Sequence, residues 1–256
     1  MEAPNIFFAT AVWRRHLDAF LRNWKTEAGG VLLEPLIVLG AIGFGLGQFV
    51  SAFEEDVDYA TFVTPGIIAG YAMFHALFEG AYGAYLRMSM HRVFDSILAT
   101  PMQVEDLVFG EMLWGASRSV MTAIAVLIVA TGFGLVESPL ALLVVPSAFL
   151  VGLVFYPIAL CATALAPSIN SLNNVFTLLA VPMYFLSGIF FPVSGLPDWV
   201  EPIVWALPLT PAAHLMRGLI LGDLDLSHIA ATMALVAMAI FFGILATVLM
   251  RRRLVT

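Results

Sequence analysis

The sequence predicts an all-α polytopic membrane protein, and its composition is the main reason. Its 256 residues are 61% hydrophobic and 11% charged, and the mean hydropathy is +0.96. A soluble domain carries about 25% charged residues, so this composition is typical of an integral membrane protein. Apolar runs of about 20 residues, the length that crosses a bilayer core, recur six times along the chain. We expect one transmembrane domain over residues 1–256 with no separate soluble domain.

An amphipathic helix is predicted over residues 5–25, before the first apolar run. Trp13, Leu17 and Trp24 share one face, while Arg14 and Arg22 share another. Basic residues on one face and aromatic residues on the other favour a helix that lies in the headgroup layer. Packing on a soluble partner is the alternative. The six spans are predicted at residues 31–50, 62–85, 107–135, 140–165, 173–191 and 228–250.

Residues 192–222, between the fifth and sixth spans, are predicted to form a re-entrant helical hairpin. The five prolines of this segment cannot all lie inside one continuous helix, since each lacks an N–H and clashes with the preceding turn, yet the segment stays apolar and aromatic. Irregular backbone at membrane depth survives only where it is buried in protein or lines a wet cavity. We therefore expect two short half-helices, near residues 198–207 and 211–221. The prolines are Pro192, Pro197, Pro202, Pro208 and Pro211.

The distribution of charge predicts the orientation. If six spans alternate, nearly all basic residues fall on one side and the acidic loops fall on the other, with Arg217 as the one cation there. Since cytoplasmic loops carry an excess of Lys and Arg, we expect both termini in the cytoplasm of a bacterial inner membrane and the hairpin facing outward. The basic side holds Arg14, Arg15, Arg22, Lys25, Arg87, Arg92, Arg251, Arg252 and Arg253; the acidic side holds Glu54, Glu55, Asp56, Asp58, Glu137, Asp198, Glu201, Asp223 and Asp225.

Several classes of chemistry are not expected, because their motifs are missing from the sequence. There is no G-x-x-x-x-G-K-[ST] phosphate loop, no H-E-x-x-H metal motif and no G-x-S-x-G nucleophile turn. The single cysteine, Cys161, excludes an internal disulfide. We therefore expect no catalytic residue, metal site or cofactor in the chain itself. The histidines, scattered along the sequence, are His16, His75, His91, His214 and His228.

Three charged residues within the apolar runs form a predicted intramembrane charge network: Glu79, Glu111 and Arg118. Glu111 and Arg118 are seven residues apart and share a helix face. Glu79 lies about 12 Å along its helix from Arg87, at about 1.5 Å per residue. We expect a buried ion pair, with Glu79 pairing to Arg118 and tying the second span to the third. A proton relay is the alternative, and it is weakly supported by one isolated carboxylate.

An aromatic face on the second span is a candidate border of a substrate path. Spacings of three and four place five aromatic residues on one helix face. Such a face stacks on sugar rings and borders acyl chains of an amphipathic substrate. Helix packing or lipid contact is the alternative. The residues are Tyr71, Phe74, Phe78, Tyr82 and Tyr85.

Residues 88–101 form the longest loop on the basic side, and they contain a short amphipathic helix. Val93, Phe94, Ile97 and Leu98 fall on one face, and Thr100-Pro101 ends the helix. A short helix of this kind presents its apolar face to a protein groove or anchors the loop at the membrane surface.

The order of these elements, with two sequence segments, resembles the permease subunits of type-2 ABC exporters. LSGIFFPVSGLPDWVEPIVWALPLTPAAHLMRGLILG carries a Phe-Pro step, a Leu-Pro step followed by Trp, then Pro-Leu-Thr and a downstream Arg-Gly. FEGAYGAYLRMSMHRVFDSILATPMQVEDLVFGEMLWGASRS is most similar to the NodJ type, the nodulation-associated lipo-oligosaccharide permeases. His214 departs from the pattern, since many members carry a histidine directly after the Pro-Leu-Ser/Thr step.

The resemblance implies partners and a function. Two copies of a separate ATPase subunit would bind Mg-ATP, and a second permease copy would complete the exporter, with the first and fifth spans at the dimer axis. The expected cargo is a lipid-linked or amphipathic saccharide moved outward. A hydrophobic-drug exporter and an ion-coupled carrier gated by Glu79 and Arg118 are the alternatives; membrane lipids are expected partners and nucleic acid is not. The implied coupling helix consists of Val93, Phe94, Ile97, Leu98, Thr100 and Pro101.

Overall fold

The computed structural model describes residues 4–47 and 58–255, and every regular element in those ranges is helical. The predicted all-α membrane fold is therefore confirmed. Five helices are long and apolar enough to cross a membrane, and a shorter apolar helix, Leu33–Gly43, lies where the first span was predicted. The predicted end of that span, residues 48–50, and the acidic residues 54–56 lie outside the described residues. The five long candidates are Tyr59–Met90, Val104–Gly132, Pro139–Leu165, Ile169–Leu186 and Leu226–Val255.

The α-helices are numbered α1 to α10 in chain order, and shorter π and 3-10 segments extend them. The α-helices are α1 Ile6–Val38, α2 Tyr59–Phe78, α3 Val93–Leu98, α4 Val104–Gly132, α5 Val144–Leu165, α6 Asn173–Val175, α7 Val181–Leu186, α8 Glu201–Trp205, α9 Leu209–Leu221 and α10 Leu226–Val255. The π segments are Leu39–Leu46, Glu79–Gly83, Leu86–Met90 and Phe176–Ala180; the 3-10 segments are Pro139–Leu143, Ile169–Leu172 and Val193–Gly195.

The first helix differs from the sequence prediction, which separated an interfacial helix at 5–25 from a span at 31–50. In the structure, α1 runs unbroken from Ile6 to Val38 and continues as π turns to Leu46. The Asn5 side chain caps its start by accepting from the Phe7 N–H. A glycine inside a helix costs only about 1 kcal/mol relative to alanine, so the pair at residues 29–30 weakens the helix without ending it. One continuous helix therefore joins the basic end of the bundle to the first apolar segment.

The helix α4 lies at the centre of the packing and contacts α1, α2 and α5, while α10 packs along α5. Gly115 permits the close approach of α4 and α5, because a Cβ atom there would lie 1.8 Å from the Tyr156 ring. The start of α4 is fixed by a capping box, in which the Asp106 carboxylate accepts a hydrogen bond from the Gln103 N–H at 3.0 Å. A second Asp106 oxygen accepts from the Asn5 N–H at 2.6 Å, so the starts of α1 and α4 are joined.

The hairpin segment contains the short α8 and the longer α9, which packs on α2 and α10. Its irregular backbone is satisfied from within the protein. The Thr210 hydroxyl donates to the Val204 carbonyl at 2.6 Å. The carbonyl of Ile220, near the end of α9, accepts from two backbone N–H groups of residues 137 and 138, each at 3.1 Å. Gly222 then leaves the helix with a φ of +83°, which favours glycine.

Candidate functional site: buried charges and the hairpin

The most buried polar site is an ion-pair cluster centred on Glu111, whose exposed fraction is 0%. Arg87 Nη2 donates to Glu111 Oε2 at 2.7 Å, and Arg87 Nη1 donates to Glu79 Oε1 at 2.6 Å. The Tyr156 hydroxyl donates to Glu111 Oε2 at 2.6 Å. His16 Nε2 lies 2.7 Å from the other oxygen, Oε1. The cluster therefore connects α1, the C-terminal part of the long helix Tyr59–Met90, α4 and α5.

Two π segments, Glu79–Gly83 and Leu86–Met90, help to bring Glu79 onto Arg87. In a regular α-helix, eight residues turn about 80° beyond two full turns, which separates the two side chains. The wider π turns reduce that offset, and the two long side chains reach across the axial rise. Thr163 of α5 stabilises the first π segment by donating its hydroxyl to the Gly80 carbonyl at 2.9 Å.

The cluster stabilises the packing of its helices, because separating any two of its charges would leave a buried charge without a partner. Arg87 is shared by two carboxylates, and it also donates to the Tyr156 hydroxyl at 3.1 Å. Removal of one partner from a buried ion pair costs about 3–5 kcal/mol, since the remaining charge is stranded away from water. A movement of any one of these helices is therefore passed to the others, or it must break the cluster.

The predicted charge network, Glu79, Glu111 and Arg118, is assembled differently from the prediction. Glu79 and Glu111 do meet, but Arg87 joins them. The Arg118 guanidinium lies 5.3 Å from the centre of the Phe20 ring on α1, and the Glu79 oxygen that was expected to pair with Arg118 accepts from Arg87.

Sequence reasoning did not place Arg87, Tyr156 or His16 in this site. The sequence indicates Arg87 as a basic residue on the cytoplasmic side and about 12 Å along the helix from Glu79, Tyr156 lies in an apolar run, and His16 lies in a helix expected at the headgroups. The eight-residue separation of Glu79 and Arg87 was the one usable signal.

The residues assigned to coupling lie on and after α3, which begins at Arg92 in a left-handed conformation with a φ of 49°. Their apolar face points into the permease: Phe94 has an exposed fraction of 0%, and Ile97 and Leu98 pack on the core. Of the six residues assigned to coupling, Phe94 is fully buried within the chain, Val93, Ile97 and Leu98 are partly exposed, and Thr100 and Pro101 are exposed. The coupling role of this segment stays a prediction. The exposed face of α3 is polar. The residues exposed on or beside the helix are His91, Arg92, Asp95, Ser96, Ala99, Thr100 and Pro101.

Four of the five aromatic residues predicted on the second span contact the segment Ile169–Leu186. Phe74 contacts the Tyr184 ring with centroids 5.2 Å apart, and Tyr82 stacks on Phe176 at 5.5 Å. Tyr71 and Phe78 make further contacts to Tyr184 and Phe176, respectively. Tyr85 is buried in the core. The candidate path residues Tyr71, Phe74, Phe78 and Tyr82 therefore pack with these partners into a group of rings that we call the aromatic wall, in which Tyr71 and Tyr184 are buried and Phe78 is exposed.

Three potential metal ligands meet at the end of the hairpin, although the histidines are scattered in the sequence. His214, Asp225 and His228 place ligand atoms within 4.8 Å of one another. The His214 and His228 rings stack at 4.1 Å with planes 13° apart. Because the nitrogen lone pairs of parallel rings lie in parallel planes, they do not converge on one ion in this arrangement.

The hydrogen bonds of His214, Asp225 and His228 indicate that these residues stabilise the fold rather than bind a metal. The Ser227 hydroxyl and His228 Nδ1 both hydrogen-bond to Asp225, and they lower the pKa of its carboxyl to about 2. Burial and the neighbouring His228 lower the pKa of His214. At neutral pH the group therefore consists of a charged Asp225 beside a neutral His214, and it fastens the hairpin to the start of α10.

Comparison with known proteins identifies the family. Residues 8–221 match the family model described as ABC-2 type transporter. The chain is 35% identical over 250 residues to "Nodulation protein J" of Sinorhizobium fredii, and the aligned region covers 96% of this chain and 94% of the relative. It is 36% identical over 253 residues to the protein of that name from Bradyrhizobium diazoefficiens, with 98% and 95% covered. It is 19% identical over 222 residues to "Inner membrane transport permease YadH" of Escherichia coli, with 86% and 84% covered. The chain is therefore a membrane permease of the ABC-2 type transporter family.

Proposed function

We propose that this permease is the transmembrane subunit of an ATP-driven exporter that moves a lipid-linked or amphipathic saccharide outward across a bacterial inner membrane. The observation that carries the proposal is the similarity to relatives named Nodulation protein J over almost the full length of both chains. The aromatic wall supports a substrate with sugar rings and acyl chains, because aromatic side chains contact both. Export of a hydrophobic drug is the nearest alternative.

The energy for transport comes, in this proposal, from two copies of a separate ATPase that bind Mg-ATP. The exposed polar face of α3 meets that partner, while Phe94 anchors α3 to the permease body. Arg92 begins α3 only five residues after Arg87 in the sequence. A displacement of α3 therefore acts on the C-terminal end of the long helix Tyr59–Met90, and the buried cluster passes it to α1, α4 and α5.

A second permease copy completes the exporter in this proposal. The segment Ile169–Leu186 is the least buried of the five long apolar helices, with only 22% of its residues buried within the chain. Leu178 and Phe185 are exposed on it. On α1, Leu33 and Ile37 are exposed as well. These faces, on the first apolar segment and the fifth span, are available to a homodimer partner on the side that carries the aromatic wall.

The ion-coupled carrier is less well supported by the geometry. Glu79 accepts a hydrogen bond from Arg87 at 2.6 Å, and a carboxylate paired in this way is a poor site for repeated proton binding. In our proposal, Glu79→Gln transports without dependence on the proton gradient, whereas a proton-coupled carrier would lose its coupling.

Co-purification tests the proposed function most simply. The full chain is extracted in mild detergent with and without a co-expressed ABC ATPase from the same source. We expect a stable complex with vanadate-sensitive ATP hydrolysis, both termini on the ATPase side of the membrane, and no hydrolysis by the permease alone. A permease that never associates with an ATPase, yet transports substrate, would contradict the proposal.

A further inference from the structure

We propose that the hairpin forms a binding site for an uncharged sugar unit, a site that rests on the proposed function and names where the saccharide end of the substrate is held. The site is a cavity of about 290 Å³ between α2, the turn after α7, α8 and α9. Since a water molecule occupies about 30 Å³ of liquid, the cavity has the volume of about ten waters. That space is large enough for a single pyranose ring.

Polar groups without protein partners face this cavity. The Ser187 hydroxyl is 1% exposed and has no hydrogen-bond partner among the described residues. The Glu201 carboxylate also lines the cavity, and no hydrogen bond to it is found within residues 4–47 and 58–255. Buried polar groups such as the Ser187 hydroxyl are normally satisfied in proteins, whereas the Glu201 carboxylate is partly exposed and open to a ligand. A ligand that brings several hydroxyl groups satisfies both of these at once.

The charges around the cavity favour a neutral ligand over an anion. Arg217 supplies one positive charge, but its guanidinium lies 3.9 Å from the centre of the Phe62 ring and donates to the Gly188 carbonyl at 2.7 Å. Glu201 supplies one negative charge. A phosphate would meet a guanidinium already engaged by the protein and a carboxylate that repels it, whereas sugar hydroxyls donate to Glu201 and accept from Ser187.

Trp205 supplies the apolar contact that a sugar ring requires. Its side chain is 38% exposed and lines the cavity, with its ring held edge-on by His214 at 5.4 Å. Aromatic rings bury large area at small conformational cost, and the C–H face of a pyranose is flat and apolar. A tryptophan beside a hydroxyl and a carboxylate therefore matches the mixed surface of an uncharged sugar.

The cavity also lies at the end of the aromatic wall. Tyr184, which contacts Tyr71 and Phe74, is three residues before Ser187. The Phe190 ring packs on Tyr184 at 5.2 Å, in the turn that leads into the hairpin. A saccharide that moves along the wall reaches the cavity next, so the site lies at the hairpin end of the proposed path.

Binding of short, uncharged oligosaccharides to the purified full chain in lipid nanodiscs tests the site. Saturation-transfer NMR is recorded with cellotetraose, maltotetraose and chitotetraose. We expect binding of at least one of them, weakened about tenfold in Trp205→Ala and in Glu201→Gln, since a hydrogen bond to a charged group contributes roughly that factor. Trp199→Ala, a matched change at a tryptophan that is 75% exposed on the same hairpin, should bind within about twofold of the unmodified protein.

Three results would overturn the site: no saturation transfer from any of the sugars, unchanged binding in both cavity variants, or displacement of the sugar by glycerophosphoethanolamine, which would indicate a lipid-headgroup site. Glu201→Gln guards against a folding artefact, because Glu201 accepts no hydrogen bond from another described residue that the substitution would remove. Association with the ATPase is measured on the same samples. A complex that hydrolyses ATP but binds no sugar would contradict the sugar site and leave the proposed function intact. Sugar binding without ATPase association would support the site and contradict the proposed function.

Discussion

Arg87 determines whether the buried cluster holds, because it is the one side chain that contacts both Glu79 and Glu111 among the described residues. Arg87→Ala should strand two carboxylates and lower stability by about 3–5 kcal/mol. Glu111→Ala in the Arg87→Ala background should restore part of the loss, because it removes one stranded charge. The readout is the apparent melting temperature in detergent, arranged as a double-mutant cycle. Arg14→Ala, at an exposed position on α1, is the control. Strict additivity of the two changes would show that the cluster does not act as a unit.

A second prediction at the scale of the residue concerns the close contact between Gly115 and Tyr156. An alanine there meets the Tyr156 ring, so α4 and α5 must separate and the Tyr156 hydroxyl must leave Glu111. We expect Gly115→Ala to lower stability by about 1–3 kcal/mol, the usual cost of overpacking. Gly132→Ala, on the same helix with nothing within 4 Å of the added methyl, should be neutral or stabilising. Equal melting temperatures for the two variants would refute the close contact.

Sequence reasoning finds charges at this scale better than it finds their partners. Glu79 and Glu111 are conspicuous because carboxylates are rare in apolar runs. A regular helical wheel places Arg87 on a different face of the helix from Glu79. The hydrophobic pattern gives no sign of the π turns that bring the two side chains together. Tyr156 and His16 give no signal, because a tyrosine suits an apolar span and a histidine suits an interfacial helix.

At the scale of the element, α3 has two faces with different predicted roles. Asp95→Arg, on the exposed face, should reduce co-purification of the ATPase about tenfold or more while the permease remains folded, because like charges placed across an interface repel. Phe94→Ala should lower permease stability instead, by about 3–5 kcal/mol, since the ring is fully buried. Asp223→Arg is the same charge reversal at an exposed site beyond the hairpin and should leave association unchanged. Wild-type association in Asp95→Arg would rule out this face of α3 as the contact.

The helices can be predicted from the sequence where the apolar runs are long. The all-α class, the long spans and the helix at residues 93–98 required only hydropathy, periodicity and the Thr100-Pro101 stop. The continuity of α1 did not follow, because two adjacent glycines resemble a break, although they cost the helix little. The face presented by α3 did not follow either: amphipathicity locates an apolar face, but the same pattern suits packing on the chain or on a partner.

At the scale of the whole molecule, the sequence places nearly all Lys and Arg on one predicted side of the membrane, and this asymmetry predicts the orientation. In a Cys161→Ala background, Ser96→Cys and Trp199→Cys provide one exposed thiol at each end. A membrane-impermeant maleimide should label position 199 in intact spheroplasts, and position 96 only after the membrane is opened. The opposite pattern would place the hairpin in the cytoplasm and contradict both the outward path and the sugar site.

The central claim is that this permease provides the path while a partner supplies the energy, and vectorial transport tests it most directly. Inside-out proteoliposomes contain the permease with or without its ATPase, and a fluorescent lipid-linked oligosaccharide is followed into the lumen. We predict accumulation only with the partner and ATP, abolished by vanadate and unaffected by collapse of the proton gradient. Accumulation driven by the permease alone with an ion gradient would contradict the account.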